Sequence, residues 1–230
     1  MPERFRAAVR PFGLRCRRVC ETMMSNRDCI VYVVDDDAPV RDSMTSLFRS
    51  VGLCAEAFGS AEEFLSASRR EIPSCLVLDV RLPGMTGLEL QGELARAGIG
   101  IPIVFVTGHG DIPMVSRAMK AGAVEFLTKP FQKQELLAAI RQALDRDRAR
   151  CEQEAKLSVL RSRFGKLTSR QREVLHFVVG GFTNKEIAAK LGLSEITIKV
   201  HRSQMMQNMG ADTLAGLVQL AGKLGMHSHR

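Results

Sequence analysis

From residue 30 onward, short apolar runs alternate with stripes of apolar residues at helical spacing. Ile30–Val34 is an unbroken run of strand length that ends in Asp35, Asp36 and Asp37. Val40, Met44, Leu47, Phe48 and Val51 then recur on one helical face, with Pro39 just inside the helix start and Gly52 at its end. Cys54–Phe58, Cys75–Leu78, Ile103–Val106 and Val124–Leu127 are four further strand-like runs. The intervening pattern predicts a helix capped by Ser60, with Glu63 completing a capping box. It also predicts helices over Gly87–Ala97, Asp111–Ala121 and, after Lys129-Pro130, Gln132–Leu144. Apolar strands that alternate with helices imply a parallel sheet of five strands, doubly wound and covered on both faces.

The helical signal continues past Leu144 into a charged stretch, 145–163, with sparse apolar residues. It reads as a helical linker, continuous or frayed, and has too few apolar a/d positions for a dimerising coiled coil. From Leu167 the pattern is all helical. Thr168 with Gln171 and Thr183 with Glu186 are capping boxes. Gly180-Gly181, Gly192 and Gly210 end successive helices, and Ser194 caps the third. A fourth helix covers Thr213–Leu224. A short helix, a Gly turn and a longer helix make a helix-turn-helix candidate.

Charge divides the chain further. Residues 1–28 carry seven Arg against three acids, residues 29–150 carry 14 bases against 16 acids, and residues 151–230 carry 12 bases against six acids. A basic helical block beside a slightly acidic α/β block predicts two domains with different partners, the basic one suited to nucleic acid. The six cysteines show no metal-ligand spacing and fit a reducing cytoplasm. No apolar run is long enough to span a membrane. The Arg-rich leader lacks the apolar core of a signal peptide and reads as disordered, with a DNA-binding arm as the alternative. Met23 and Met24 are alternative translation starts.

In a doubly wound sheet, reactive groups gather outside the carboxyl ends of the strands. The first run delivers Asp35 and Asp36, the third Asp79, the fourth Thr107 and the fifth Lys129. Taken singly, each residue is more often a turn former, a cap or a solvated charge. Five such positions, each at a strand end, favour one joint site. Clustered carboxylates repel unless a cation joins them, and hard oxygen ligands suit Mg²⁺. Metal and Lys129 together would neutralise a phosphoryl group moving to Asp79.

The segments VVDDD (33–37), LDVRLPGMTG (78–87), VTGHGD (106–111) and FLTKPF (126–131) closely resemble the receiver domain of bacterial two-component response regulators. The resemblance implies a flavodoxin-like fold over residues 28–145, after a leader at 1–27. It implies that Asp79 is the phosphoacceptor. Mg²⁺ would be held by Asp36, Asp79 and the backbone carbonyl of Arg81, with Asp35 assisting. Thr107 and Lys129 would contact the phosphoryl group, and Phe126 takes the place of the switch aromatic. His109 is either a neighbour of that group or a plain loop residue.

After a linker at 146–165, residues 167–194 and 197–211 closely resemble the LuxR-type helix-turn-helix of the NarL/FixJ regulators. This implies an all-α four-helix domain over 166–230. Ile198, His201, Met205 and Met209 fall near one face and should pack inward. Lys199, Val200, Arg202 and Ser203 lie on other faces. Lys199 suits base edges, Val200 a thymine methyl and Arg202 a phosphate. Thr183, Asn184 and Lys185 stand at a helix N-terminus, a natural phosphate site. Leu214, Leu217, Val218 and Ala221 either carry a dimer contact or close the domain core.

The resemblance implies a phosphorylation-dependent transcription regulator rather than an enzyme. Its partners would be a histidine kinase, double-stranded promoter DNA, a second copy on phosphorylation, and RNA polymerase. A stand-alone phosphatase using Asp79 is the enzyme alternative. It usually needs an acid two residues after the nucleophile, where this chain has Arg81. A receiver that only dimerises, without phosphate, is the other alternative.

Overall fold

A computed structural model describes residues 29–108 and 110–226. The expectations for the leader and for His109 lie outside the described residues. Five strands, β1 (Ile30–Val34), β2 (Cys54–Phe58), β3 (Ser74–Leu78), β4 (Ile103–Thr107) and β5 (Glu125–Thr128), form one parallel sheet in the order β2-β1-β3-β4-β5. The three central strands are buried along their whole length, which is why their sequences are continuous apolar runs. Edge strands β2 and β5 are half-buried and carry Glu56 and Glu125.

Each face of the sheet has its own core. Tyr32, Leu76, Leu78 and Phe105 pack against α2 (Ala61–Ser66), α3 (Gly87–Arg96) and α4 (Ile112–Lys120) through Phe64, Leu90, Leu94 and Ala118. Val31, Val33, Val77, Val104 and Val106 pack against α1 (Ala38–Ser50) and α5 (Lys133–Gly165) through Met44, Phe48, Leu136 and Ile140. The chain leaves β1 toward β2 and then crosses to β3 on its other side. That reversal opens a crevice at the carboxyl ends of β1 and β3.

Helix α5 continues through the expected helical linker without fraying. It is one helix of 33 residues, about 50 Å at 1.5 Å per residue. Its first half is buried on the sheet. Its last turns bury Leu160 with α6 (Ser169–Val179), α7 (Asn184–Leu191), α8 (Glu195–Met209) and α9 (Leu214–Lys223). Arg163 donates to the carbonyl of Met209 at the end of α8, 3.2 Å away. The capping boxes at Thr168 and Thr183 form, and Gly192 and Gly210 take left-handed conformations that stop α7 and α8. The Ser60 box is half right. Its hydroxyl accepts the Glu63 N–H, but the Glu63 carboxylate accepts from Gly59 instead of returning to Ser60.

Candidate functional site

Strand ends bring Asp35, Asp79, Thr107 and Lys129 to one rim, and Asp36 follows directly after β1. Lys129 Nζ lies 2.6 Å from Asp35 Oδ2 and 2.9 Å from Asp79 Oδ2. The other oxygen of Asp79 accepts the Arg81 N–H at 3.0 Å, and the other oxygen of Asp35 accepts the Asp37 N–H at 3.0 Å. Arg81 backbone therefore runs alongside the Asp79 carboxylate. Thr107 is buried, and its carbonyl accepts the Lys129 N–H at 2.8 Å, which locks β4 to the residue that reaches across the pocket. Arg41 on α1 donates to the Asp35 carbonyl at 2.7 Å.

Gly87 matters to this arrangement. A Cβ at that position would run into the backbone carbonyl of Asp79. Glycine thus lets α3 start directly against the end of β3. Gly110 plays a related part for Phe126, because a Cβ there would come within 2.8 Å of the ring. Phe126 is half-buried and packs on Phe105, with ring centroids 6.0 Å apart.

Burial pushes the Asp35 carboxyl above its ordinary value. Hydrogen bonds from Lys129 and Asp37 pull it back in part, while the Asp79 charge adds to the rise. Burial alone would lower Lys129, but its bonds to Asp35 and Asp79 outweigh that and hold the ammonium above its ordinary value. One carboxylate oxygen each from Asp35, Asp36 and Asp79 lie within 4.8 Å of one another. An all-oxygen donor set with Asp36 open to solvent fits a hard divalent cation that keeps water ligands.

At the other end, Ile198, Met205 and Met209 are fully buried, while His201 is only half-buried. Lys199, Val200 and Ser203 are exposed on the outer side of α8. Arg202 is not free: its guanidinium bonds the Asn184 side chain of α7 at 2.6 Å. The Thr183 hydroxyl is engaged with Glu186 in its capping box, and Lys185 is exposed. The four α9 residues divide. Leu217 and Ala221 are buried in the core, while Leu214 and Val218 are exposed.

Residues 31–141 match the family described as response regulator receiver domain, and residues 165–221 match bacterial regulatory proteins of the luxR family. Nodulation protein W of Bradyrhizobium diazoefficiens is 52% identical over 200 residues, covering 87% of this chain and 88% of that protein. This chain is a response regulator with a LuxR-type DNA-binding domain. It is also similar to the response regulator protein TodT of Pseudomonas putida, at 44% identity over 87% of this chain and 88% of that protein. Among solved structures, the response regulator StyR superposes with a TM-score of 0.77 at 48% identity, covering 86% of this chain and all of that one.

Such a regulator pairs a receiver, served by a histidine kinase, with a DNA-binding helix-turn-helix, and it acts as a transcription regulator rather than an enzyme. Among the described residues, no helix is long and apolar enough to cross a membrane. Two contacts of this response regulator join residues that no local sequence pattern links. The approach of Gly87 to Asp79 has no local signal, because it joins residues on separate elements. The anchoring of Arg202 by Asn184 arises only when α7 crosses α8.

Proposed function

We propose that Asp79 accepts a phosphoryl group from a histidine kinase and that the modified protein binds promoter DNA through α8. The observation that carries this reading is Lys129 bridging Asp35 and Asp79, with Asp36 beside them and Thr107 buried at the end of the adjacent strand β4. A carboxylate oxygen of Asp79 forms the new bond to phosphorus as the donor's phosphohistidine bond breaks. The Lys129 ammonium offsets negative charge on the transferred group, and the Thr107 hydroxyl turns toward it. Asp36, Asp79 and the Arg81 carbonyl would hold Mg²⁺, with Asp35 assisting. The ion would supply charge neutralisation for the phosphoryl oxygens.

Movement of Thr107 and Phe126 alters the surface of α4 and β5, and that surface then pairs with a second copy. Ile112 and Met119 support this, because both are exposed apolar side chains on α4. A paired protein sets two recognition helices on two DNA half-sites. Lys199, Val200, Ser203 and Arg202, with the α7 start at Thr183, Asn184 and Lys185, form the DNA face. The protein works in the cytoplasm, where promoter and RNA polymerase are reached. The functional units are residues 28–145 and 166–230, joined through 146–165.

The experiment treats wild type and Asp79→Asn with Mg²⁺ and a small acyl phosphate, then measures DNA affinity and apparent mass. Wild type should gain affinity and double in mass, and the Asn variant should do neither. Continuous phosphate release with no change in DNA binding favours a phosphatase. Equal, unmodified DNA binding by both proteins favours a receiver that serves only as a scaffold.

A further inference from the structure

Helix α8 exposes two large aliphatic side chains that the fold does not use. Ile196 is 74% exposed and Val200 is 49% exposed. With Lys199 and Ser203 they stand at i, i+3, i+4 and i+7, so the four form one outward stripe. The buried stripe of Ile198, Met205 and Met209 holds the opposite side against the domain core. Ser194 caps the first turn by accepting the Thr197 N–H at 3.1 Å, which fixes the backbone that carries Ile196. Charge flanks the pair: Lys199 lies between them in sequence, and Arg202 is held in place by Asn184.

We infer that Ile196 is a second base-reading residue beside Val200, and that the pair selects half-sites carrying two thymines by contact with their C5-methyl groups. The inference rests on the DNA reading given above. In the major groove the thymine methyl is the apolar group on a base edge, and aliphatic side chains are its natural partners. Ile196 and Val200 are four residues apart, roughly 6 Å along the helix at 1.5 Å per residue. Base pairs rise about 3.4 Å each, so a helix lying along the groove places the two contacts about two steps apart. A second protein is the competing occupant of the stripe. The positive charges of Lys199 and Arg202 beside it, in a block with 12 bases against six acids, favour DNA.

The test uses the full chain, treated with Mg²⁺ and a small acyl phosphate, to select duplexes from a randomised pool. Single thymines in the selected half-site are then replaced by uracil, which removes only the methyl. Replacing either of two thymines, spaced about two steps apart, should weaken wild-type binding about three- to five-fold, the value of one buried methyl-sized group. Ile196→Ala should lose the response at one thymine and keep it at the other, Val200→Ala should do the reverse, and Ile196→Val should retain most of it. Ile196 is outside the core, so its variants should melt with wild type. Wild-type indifference to every uracil, or an Ile196→Ala loss equal on both duplexes, overturns this inference alone. So does a change in oligomeric mass without a change in methyl response. A protein that retains no duplex overturns the DNA reading as well.

Discussion

Asp147, on α5, accepts the backbone N–H of Ser74 at 2.8 Å, across 73 residues of chain. Ser74 begins β3, the strand that ends beside Asp79. Asp147 is fully buried, and its other oxygen accepts from Arg150 at 2.8 Å. The helix that leads to the DNA-binding domain is therefore pinned to the first residue of the acceptor strand. Asp147→Ala should cost about 3 kcal/mol, because it strands a buried N–H and removes the partner of Arg150. Ser74→Ala should cost less than about 1 kcal/mol, because the short bond comes from backbone and the hydroxyl lies a marginal 3.5 Å from the carboxylate. Denaturant unfolding of both variants checks the pair, and equal losses would contradict it.

Lys129→Ala should leave Asp35 buried beside Asp79 with no ammonium between them. Stability at neutral pH, without divalent cation, should fall by about 2 kcal/mol. The folded-state pKa of Lys129 lies above its unfolded value. Its contribution is thus complete below the unfolded value, about 10.4, and is lost as pH rises through the folded one. Acid removes the difference too, once the Asp35 carboxylate that Lys129 pairs is protonated. Asp35, whose carboxyl is pushed up by burial, takes its proton above the usual Asp value. The gap between wild type and variant should therefore be flat through neutrality and close at both extremes. Added Mg²⁺ should restore part of it. Melting curves across pH decide this.

Much of this was legible because its causes are local. The apolar runs of β1, β3 and β4 exist because both faces of those strands are covered. Glycines at 192 and 210 mark helix ends because a left-handed residue is needed there. The box at Thr86 with Glu89 is equally visible in the spacing. Asp147 was not legible at all. It sits in a charged, solvated-looking stretch, and only the docking of α5 on β3 buries it. Leu214, Leu217, Val218 and Ala221 share a helical stripe, but only Leu217 and Ala221 are buried in the domain core, and sequence spacing does not separate them from the exposed Leu214 and Val218.

Gly87→Ala should destabilise the protein by about 3 kcal/mol, because the new Cβ meets backbone that cannot move aside. An ordinary helical Gly→Ala change has the opposite sign, about 0.5–1 kcal/mol of stabilisation. Gly92 on the same helix supplies that control, since a Cβ there meets only the far end of Arg96 at 3.9 Å. Gly87→Ala should also slow acyl-phosphate labelling of Asp79 by more than about ten-fold, the misplacement of a reacting group being costly. Gly92→Ala should label normally.

Arg202 and Asn184 provide a test of phosphate contact against base contact. Arg202 is tied to Asn184 at 2.6 Å and is half-buried, so its guanidinium is held at the side of α8 and away from the outward stripe. From that position it can grip a phosphate, a contact that carries no sequence information. Arg202→Ala should weaken binding to specific and unrelated duplexes by similar factors. It should also reduce the slope of log affinity against log salt by about one unit. Lys199→Ala, on the outward stripe, should instead narrow the ratio between specific and unrelated DNA. Asn184→Ala should fall between them, since it frees Arg202 but leaves its charge. Binding isotherms at several salt concentrations separate these cases. If Arg202→Ala left the salt slope unchanged but relaxed sequence preference, the residue would be reading bases.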